Sequence, residues 1–317
     1  MKRFHLPPLA CIGLSAVAVL VACLALSSLF VPKNNQASFG QIDEAAFGVL
    51  GEPSDSLDVL FVGDSEVYTS LSPLQMWNEQ GFTSYDIATS GQPLCYSKTI
   101  LSRALEKQNP RVVVFETNMI FRKMKADQIL WREAANLFPI IEYHNRWKHL
   151  TPADLTAQPK TTWTHPAKGF RPNEQVVPSK IRDHMKPTTD SERISPLNEW
   201  YLTSMIDMCR DRGIKVVLLS TPSTKNWSTQ RHNAVQAFLD SKGYGSDVCY
   251  LDLNFDGTEV PIDWQVETSD AGDHLNIKGA RKVSHYVGDW LRTNYRLTDH
   301  RGESAYRQWT QASANLG

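Results

Sequence analysis

Polar and apolar positions divide this chain into three regimes. The first is a run without a single charge, LACIGLSAVAVLVACLALSSLFV over 9–31, directly behind Lys2 and Arg3. Spanning a hydrocarbon core of ~30 Å takes roughly 20 helical residues, so the run predicts one membrane-crossing helix. The basic residues ahead of it predict a cytoplasmic N-terminus, with everything after Pro32 outside. Two alternatives stand beside an uncleaved anchor. A cleaved signal peptide has a shorter apolar core of roughly 7–15 residues. A lipid-bearing Cys23, within Leu20-Val21-Ala22-Cys23, would be followed by polar sequence, whereas LALSSLFV follows here. All three readings put the rest of the chain outside the cytoplasm.

The second regime is a series of short apolar, β-branched runs at 57–62, 84–87, 111–115, 214–219 and 248–251, separated by helical patterns at 73–80, 96–108, 196–212, 228–242 and 277–295. Runs this apolar suit a parallel sheet covered on both faces. Their alternation with helices predicts an α/β fold: a three-layer α/β/α arrangement with a mostly parallel central sheet of about five strands. The third regime interrupts it. Over about 119–195 no buried strand is predicted; 123–150 reads as helical and aromatic-rich (Trp131, Phe138, Tyr143, Trp147), and 151–189 is rich in Pro, Thr and Lys. The expected organisation is a head and anchor over 1–32, a tether over 33–56, one domain over 57–296 carrying the insertion, and a polar, frayed tail over 297–317.

Charge changes this picture locally rather than globally. With Lys+Arg 33 against Asp+Glu 34, the 317 residues argue against a nucleic-acid binder held by overall basic character. Hydrophobic content of 41% supports a buried core. Between His144 and Lys186, however, eight Lys/Arg stand against three Asp/Glu, which reads either as a solvated excursion or as a docking surface for an anionic substrate, lipid headgroups or a partner. Of five cysteines, Cys11 and Cys23 lie in the apolar run, and Cys95, Cys209 and Cys249 admit one disulfide or three thiols.

Chemistry gathers at two places. Gly63-Asp64-Ser65 follows the first predicted strand, where functional groups collect in an open parallel sheet. Alone, the triplet is also ordinary turn chemistry, and Ser65 would serve equally as a helix cap. Near the far end, Ser269-Asp270-Ala271-Gly272-Asp273-His274 enters the last helix. A histidine with an aspartate a few residues ahead supplies a base and its orienting acid, which a serine hydroxyl needs to become a nucleophile. Asp270, Asp273 and His274 as metal ligands lack a second cluster to complete a site. Asn226-Trp227-Ser228 matches a glycosylation triplet, meaningful only in a eukaryotic secretory host.

These two places resemble the first and last blocks of the SGNH (GDSL-type) hydrolase superfamily. Between them the family has a glycine after the second strand and an asparagine after the third, matched by Gly91 and Asn118. The resemblance implies Ser65 as nucleophile and His274 as base, with the N–H groups of Ser65 and Gly91 and the Asn118 amide as the oxyanion hole, and no cofactor or metal. There are two departures. Glu116-Thr117-Asn118-Met119 stands where Gly-x-Asn-Asp is usual, and Ala271 stands three before His274, where an aspartate is usual. Asp270, four before, folds back onto the ring more readily than the adjacent Asp273, which is the alternative. With its anchor, the chain is similar to cell-envelope members that move or remove O-acyl groups, such as the D-alanyl transfer protein of teichoic acid synthesis. That likeness implies a single-pass cell-membrane protein acting on an acylated envelope polymer, beside a multi-spanning O-acyltransferase as partner. A catalytically silent SGNH-like scaffold is the rival from another class.

Overall fold

A computed structural model describes residues 7–255 and 257–314; Lys2, Arg3 and residues 315–317 lie outside the described residues. The chain forms two compact units. One is the chain up to Ile42 together with Lys125–Thr161; the other is Asp43–Met124 together with the chain from Thr162 onward.

The first unit opens with helix α1 (Pro8–Phe30), which starts at a proline, where a missing N–H does no harm. Its Leu9–Phe30 stretch, at a mean hydropathy of 2.7, is long and apolar enough to cross a bilayer. The second unit is built on five parallel strands, β1 (Val59–Gly63), β2 (Ser84–Ala88), β3 (Val112–Glu116), β4 (Lys215–Ser220) and β5 (Val248–Asp252), in the spatial order β2-β1-β3-β4-β5. Val59 pairs with Ser84 on one side and Val112 on the other, Val112 with Lys215, and Val216 with Val248. The chain steps from β1 to β2 in one direction and returns past β1 to β3. This reversal opens a crevice at the carboxyl ends of β1 and β3.

The helices follow in chain order: α2 (Glu44–Phe47), α3 (Ser65–Ser70), α4 (Pro73–Gln80) and α5 (Leu94–Leu105). Then come α6 (Ala126–Leu137) and α7 (Ile140–Tyr143) of the first unit, and α8 (Pro196–Arg210), α9 (Thr229–Lys242), α10 (Ile277–Tyr295) and α11 (Arg307–Ser313). Their starts are chemically marked. Ser72, Ser195 and Ser228 each accept a hydrogen bond from a first-turn N–H, and Asn276 accepts from both Lys278 and Gly279. Val59, Phe61, Val112, Val114, Val217 and Leu219 share one face of the sheet with Val283, Val287 and Leu291, which recur every four residues along α10. The alternate positions, Leu60, Val62, Val113 and Phe115, point to the opposite face and are equally buried; α5 and α8 pack there against each other and the strands. The expected α/β/α layering and strand number are those observed.

Two boundaries are corrected. The expected tether over 33–56 does not run to residue 56: α2 and a tight turn over Gly48–Gly51 bury Ala46, Phe47 and Val49. Tyr85 Oη donates to the Ala45 carbonyl at 2.8 Å, and Lys107 Nζ to that of Leu50 at 2.7 Å. Six residues, Ala45–Leu50, are too few to show a period. The tail over 297–317 is not frayed where it is described. Leu297 and Trp309 are buried, and Trp309 lies 5.6 Å from Trp77, ring centre to ring centre. Lys168 Nζ sits 4.6 Å over the Trp309 ring and 2.7 Å from Glu52 Oε1, a buried ion pair beside a cation–π contact. Lys168 therefore does not belong to a solvated basic face, although its sequence neighbourhood suggested one. All five cysteines are thiols, and burial pushes that of Cys209 up to about 12.

Candidate active site

The β1–α3 turn is shaped by crowding. A Cβ on Gly63 would lie 2.5 Å from Val67 Cγ2 and 2.7 Å from Glu116 Cβ, so glycine is required for close approach rather than for a left-handed turn. The cap of α3 is Asp64, whose Oδ1 accepts from the Glu66 N–H at 3.3 Å. Ser65 is thus released from the capping role that its sequence context allowed. As first residue of the helix, its own N–H has no intrahelical acceptor. Its buried hydroxyl lies 3.5 Å from Glu66 Oε2.

The second loop is folded back on itself. Ala271 and Gly272 both adopt positive φ (63° and 93°), which returns Asp270 toward His274. Asp270 Oδ1 accepts from the His274 backbone N–H at 2.7 Å, and Oδ2 lies 2.5 Å from Nδ1. Asp273 Oδ1 is 3.9 Å from the same nitrogen and is instead bonded by the Asn226 amide. The carboxylate that reaches the ring is therefore that of Asp270. With Nδ1–H donated to it, the Nε2 lone pair is left as the basic position; Nε2 is buried and has no hydrogen-bond partner among the described residues.

Glu66 joins the two loops. Its Oε1 accepts from Asn118 Nδ2 at 2.8 Å and from Asn226 Nδ2 at 2.7 Å, and its carboxyl clusters with Asp273 and His274, one ligating atom from each lying within 4.8 Å of the others. Ser65 and His274 thus both border Glu66. Burial pushes the Glu66 carboxyl well above the usual carboxylate range, aided by neighbouring Asp64 and Glu116 and opposed by the Asn226 bond. Glu116 is pushed up in the same way, by burial and then by Asp64. Asp64 is ion-paired to Arg122, whose guanidinium also lies 3.6 Å from where a Gly91 Cβ would be. Gly91 itself holds φ +60°. Asn118 is pinned from its other side by Arg231 Nη1, at 2.7 Å from Oδ1, and Arg231 is held in turn by Glu192 at 2.8 Å.

Asp64, Glu66 and Glu116 also bring one carboxylate oxygen each within 4.8 Å of the others, the arrangement a cation would use. The donor set fits one poorly, because burial favours the protonated form of two of the acids and Arg122 neutralises the third. Sequence reasoning missed Glu66, Arg122, Asn226 and Arg231. Glu66 directly follows the serine, so only its adjacency could have flagged it. Asn226 stood inside the glycosylation triplet, but its amide is spent on Glu66 and Asp273 inside the site.

A scan against family profiles and a search of curated proteins return no match. Among solved structures, the chain is similar to a family 3 carbohydrate esterase of Clostridium thermocellum: 12% identity, 76% of this chain and 97% of that one, TM-score 0.42. It is similar to a lipase/acylhydrolase of Enterococcus faecalis: 13% identity, 77% and 98%, TM-score 0.41. A GDSL-like lipase of Bacteroides thetaiotaomicron aligns over 74% of this chain and 87% of that one at 10% identity, with a TM-score of 0.37. These neighbours are acylhydrolases and esterases; with every TM-score below 0.5, the functional reading rests on the geometry of the site.

Proposed function

We propose that this chain is an SGNH-type serine esterase or O-acyltransferase working through an acyl-serine intermediate. The observation that carries the reading is His274, anchored through Nδ1 on Asp270, with a buried Nε2 that has no hydrogen-bond partner among the described residues, beside the Glu66 carboxyl that the Ser65 hydroxyl also meets. Ser65 Oγ attacks the ester carbonyl as its proton passes to Nε2. The tetrahedral oxyanion faces the Ser65 and Gly91 N–H groups and the Asn118 amide, which keeps a second hydrogen after donating to Glu66. Each such donor is worth roughly 2.7–4 kcal/mol. The ester C–O bond then breaks, and the leaving alcohol takes the proton from Nε2. Water or a sugar hydroxyl repeats the sequence in reverse and releases the acyl group, so hydrolysis and transfer share the first half.

The membrane reading belongs to the same proposal: α1 as an uncleaved anchor, the α/β unit outside the cytoplasm, and an acylated envelope polymer as substrate, beside a multi-spanning acyltransferase. What supports it is the apolar stretch of α1 and the basic residues that precede it in sequence. Labelling by a serine-directed fluorophosphonate, mapped by peptide mass spectrometry, tests the chemistry, and adduct at Ser65 is expected. One observation favours the silent-scaffold reading: the Ser65 hydroxyl leans on Glu66, and Asn118 is held at both ends of its amide. An unlabelled Ser65 in folded protein would establish that second reading in place of the first.

A further inference from the structure

We infer that α6, α7 and the turns after them, over 126–155, form a collar seated in the headgroup–acyl boundary of the membrane that α1 crosses; the inference rests on the anchor reading above. Its first support is where these elements attach. Along most of α1 the large apolar side chains are exposed, but at its carboxyl end Ser27 and Phe30 are buried. There the Ile140 N–H meets Ser27 Oγ at 3.4 Å. Arg146 Nη1 reaches the Phe30 and Val31 carbonyls at 2.8 and 2.7 Å, and Lys33 Nζ caps Ser28 at 2.9 Å. Two cations on the last carbonyls neutralise the negative end of the helix dipole, at the depth where a spanning helix leaves the hydrocarbon.

The second support is that the collar is built inside out. Its paired charges are inward, while Asp127, Glu133 and Lys148 stay exposed: Arg132 pairs with Glu142 at 2.9 Å, and Arg146 with Asp154 at 2.8 Å, all four buried. Its large apolar side chains are outward: Leu130 is 73% exposed, Leu137 70%, Leu155 73% and Trp147 64%. On α6, Ala126, Leu130, Ala134 and Leu137 follow helical spacing and make one apolar strip, flanked by Asp127 and Glu133. In water this distribution leaves the stabilising apolar surface unburied and the costly charges buried. At a bilayer interface both choices are favourable, because leucine and tryptophan insert and the paired charges are shielded. Continuity with α1 identifies the occupant as lipid rather than another protein.

The test uses the full chain in phosphatidylcholine vesicles, in a Cys11→Ser, Cys23→Ser, Cys249→Ser background. A single cysteine carrying an environment-sensitive nitrobenzoxadiazole (NBD) dye is placed in turn at Leu130, Leu137, Leu155 and, as reference, Val17 of α1. Each dye is challenged with doxyl-labelled lipid and with aqueous iodide. All four positions should lose roughly half or more of their emission to doxyl lipid and little to iodide. If Val17 responds to lipid while the three collar positions respond to iodide alone, the anchor stands and the collar is overturned. A Val17 response to iodide alone overturns the anchor and the collar together. Shielding of the collar positions from both quenchers, increasing with protein concentration, assigns the face to a second copy of the chain and also overturns the proposal.

Discussion

The candidate site holds its acids under two contrasting regimes. Asp270, with a side chain 40% exposed, spends both carboxylate oxygens on one residue, the N–H and ring of His274. Glu66 and Glu116, a few ångströms from Asp64, are almost wholly buried and pushed toward their neutral forms. The same functional group therefore bonds His274 from a loop in one place and, buried beside Ser65 and pushed toward its neutral form, holds Asn118 and Asn226 in the other. The difference comes from solvent access and from what shares the site, since an ion is disfavoured by desolvation and by like charge. On the proposed reading the chemistry is thereby divided: the base and its partner stand on the late loop, and the scaffold that fixes Asn118 and Asn226 grows from the β1–α3 turn.

The largest effects should come from the groups that handle the proton. Ser65→Ala and His274→Ala should each lower turnover of a chromogenic acetyl ester by about 10³-fold or more, leaving the melting temperature nearly unchanged. The double variant should be no worse than either single one, because the two act as a unit. Additive losses would separate His274 from Ser65 and sink the pairing.

The next contrast is between the two aspartates of the loop. Asp270→Asn should cost roughly 10²–10⁴ in kcat by disturbing the tautomer and orientation of the ring, while Asp273→Asn, whose carboxylate meets Asn226, should cost less than about tenfold. Equal losses would show that 3.9 Å is as good as 2.5 Å, and the asymmetry drawn between the two would fall.

How much of this was legible in sequence depends on whether a signal is local. Ser65 and His274 could be read because each sits where a strand ends or a helix begins, and such boundaries leave marks in composition. Asp270 was already favoured over Asp273 in sequence, because the more distant aspartate folds back more readily; the left-handed Ala271 that brings it to the ring is not announced by its identity. Glu66 was hidden because an acid beside a turn serine reads as surface, and its burial comes from Asn118, Asn226 and Asp273, which distant loops bring over it. The tail was hidden because one tryptophan, Trp309, outweighs a polar composition once Trp77 and Lys168 receive it. The joining of residues 125–161 with the first 42 is a non-local event that no periodicity encodes.

The hold of Glu66 on Asn118 and Asn226 predicts a finer effect. Glu66→Gln keeps the carbonyl that Asn118 and Asn226 donate to and imitates the neutral acid, so activity near pH 6 should stay within about threefold. As pH rises through the elevated Glu66 value, the wild type gains a negative charge beside Ser65 and the developing oxyanion, and its rate should fall. The variant cannot ionise there and should lack that alkaline limb. A pH–rate profile of kcat/KM decides it: coincident limbs in both proteins would mean that Glu66 does not titrate in the working range.

The smallest expected effect tests burial alone. Asp86 on β2 is fully buried, neither carboxyl oxygen has a hydrogen-bond partner among the described residues, and desolvation pushes its carboxyl well above the usual range. In the unfolded chain the group loses its proton near pH 4. Above that pH the folded state holds more protons than the unfolded one, so stability falls as pH rises toward the folded value. Asp86→Asn removes this ionisation and should leave stability at pH 4 nearly unchanged, while adding on the order of 1 kcal/mol or more at pH 7.5. Urea unfolding of the detergent-solubilised full chain at the two pH values measures the difference. A gain that is the same at both would mean that Asp86 is not held neutral, and that burial without company does not suffice to set the state of an acid in this fold.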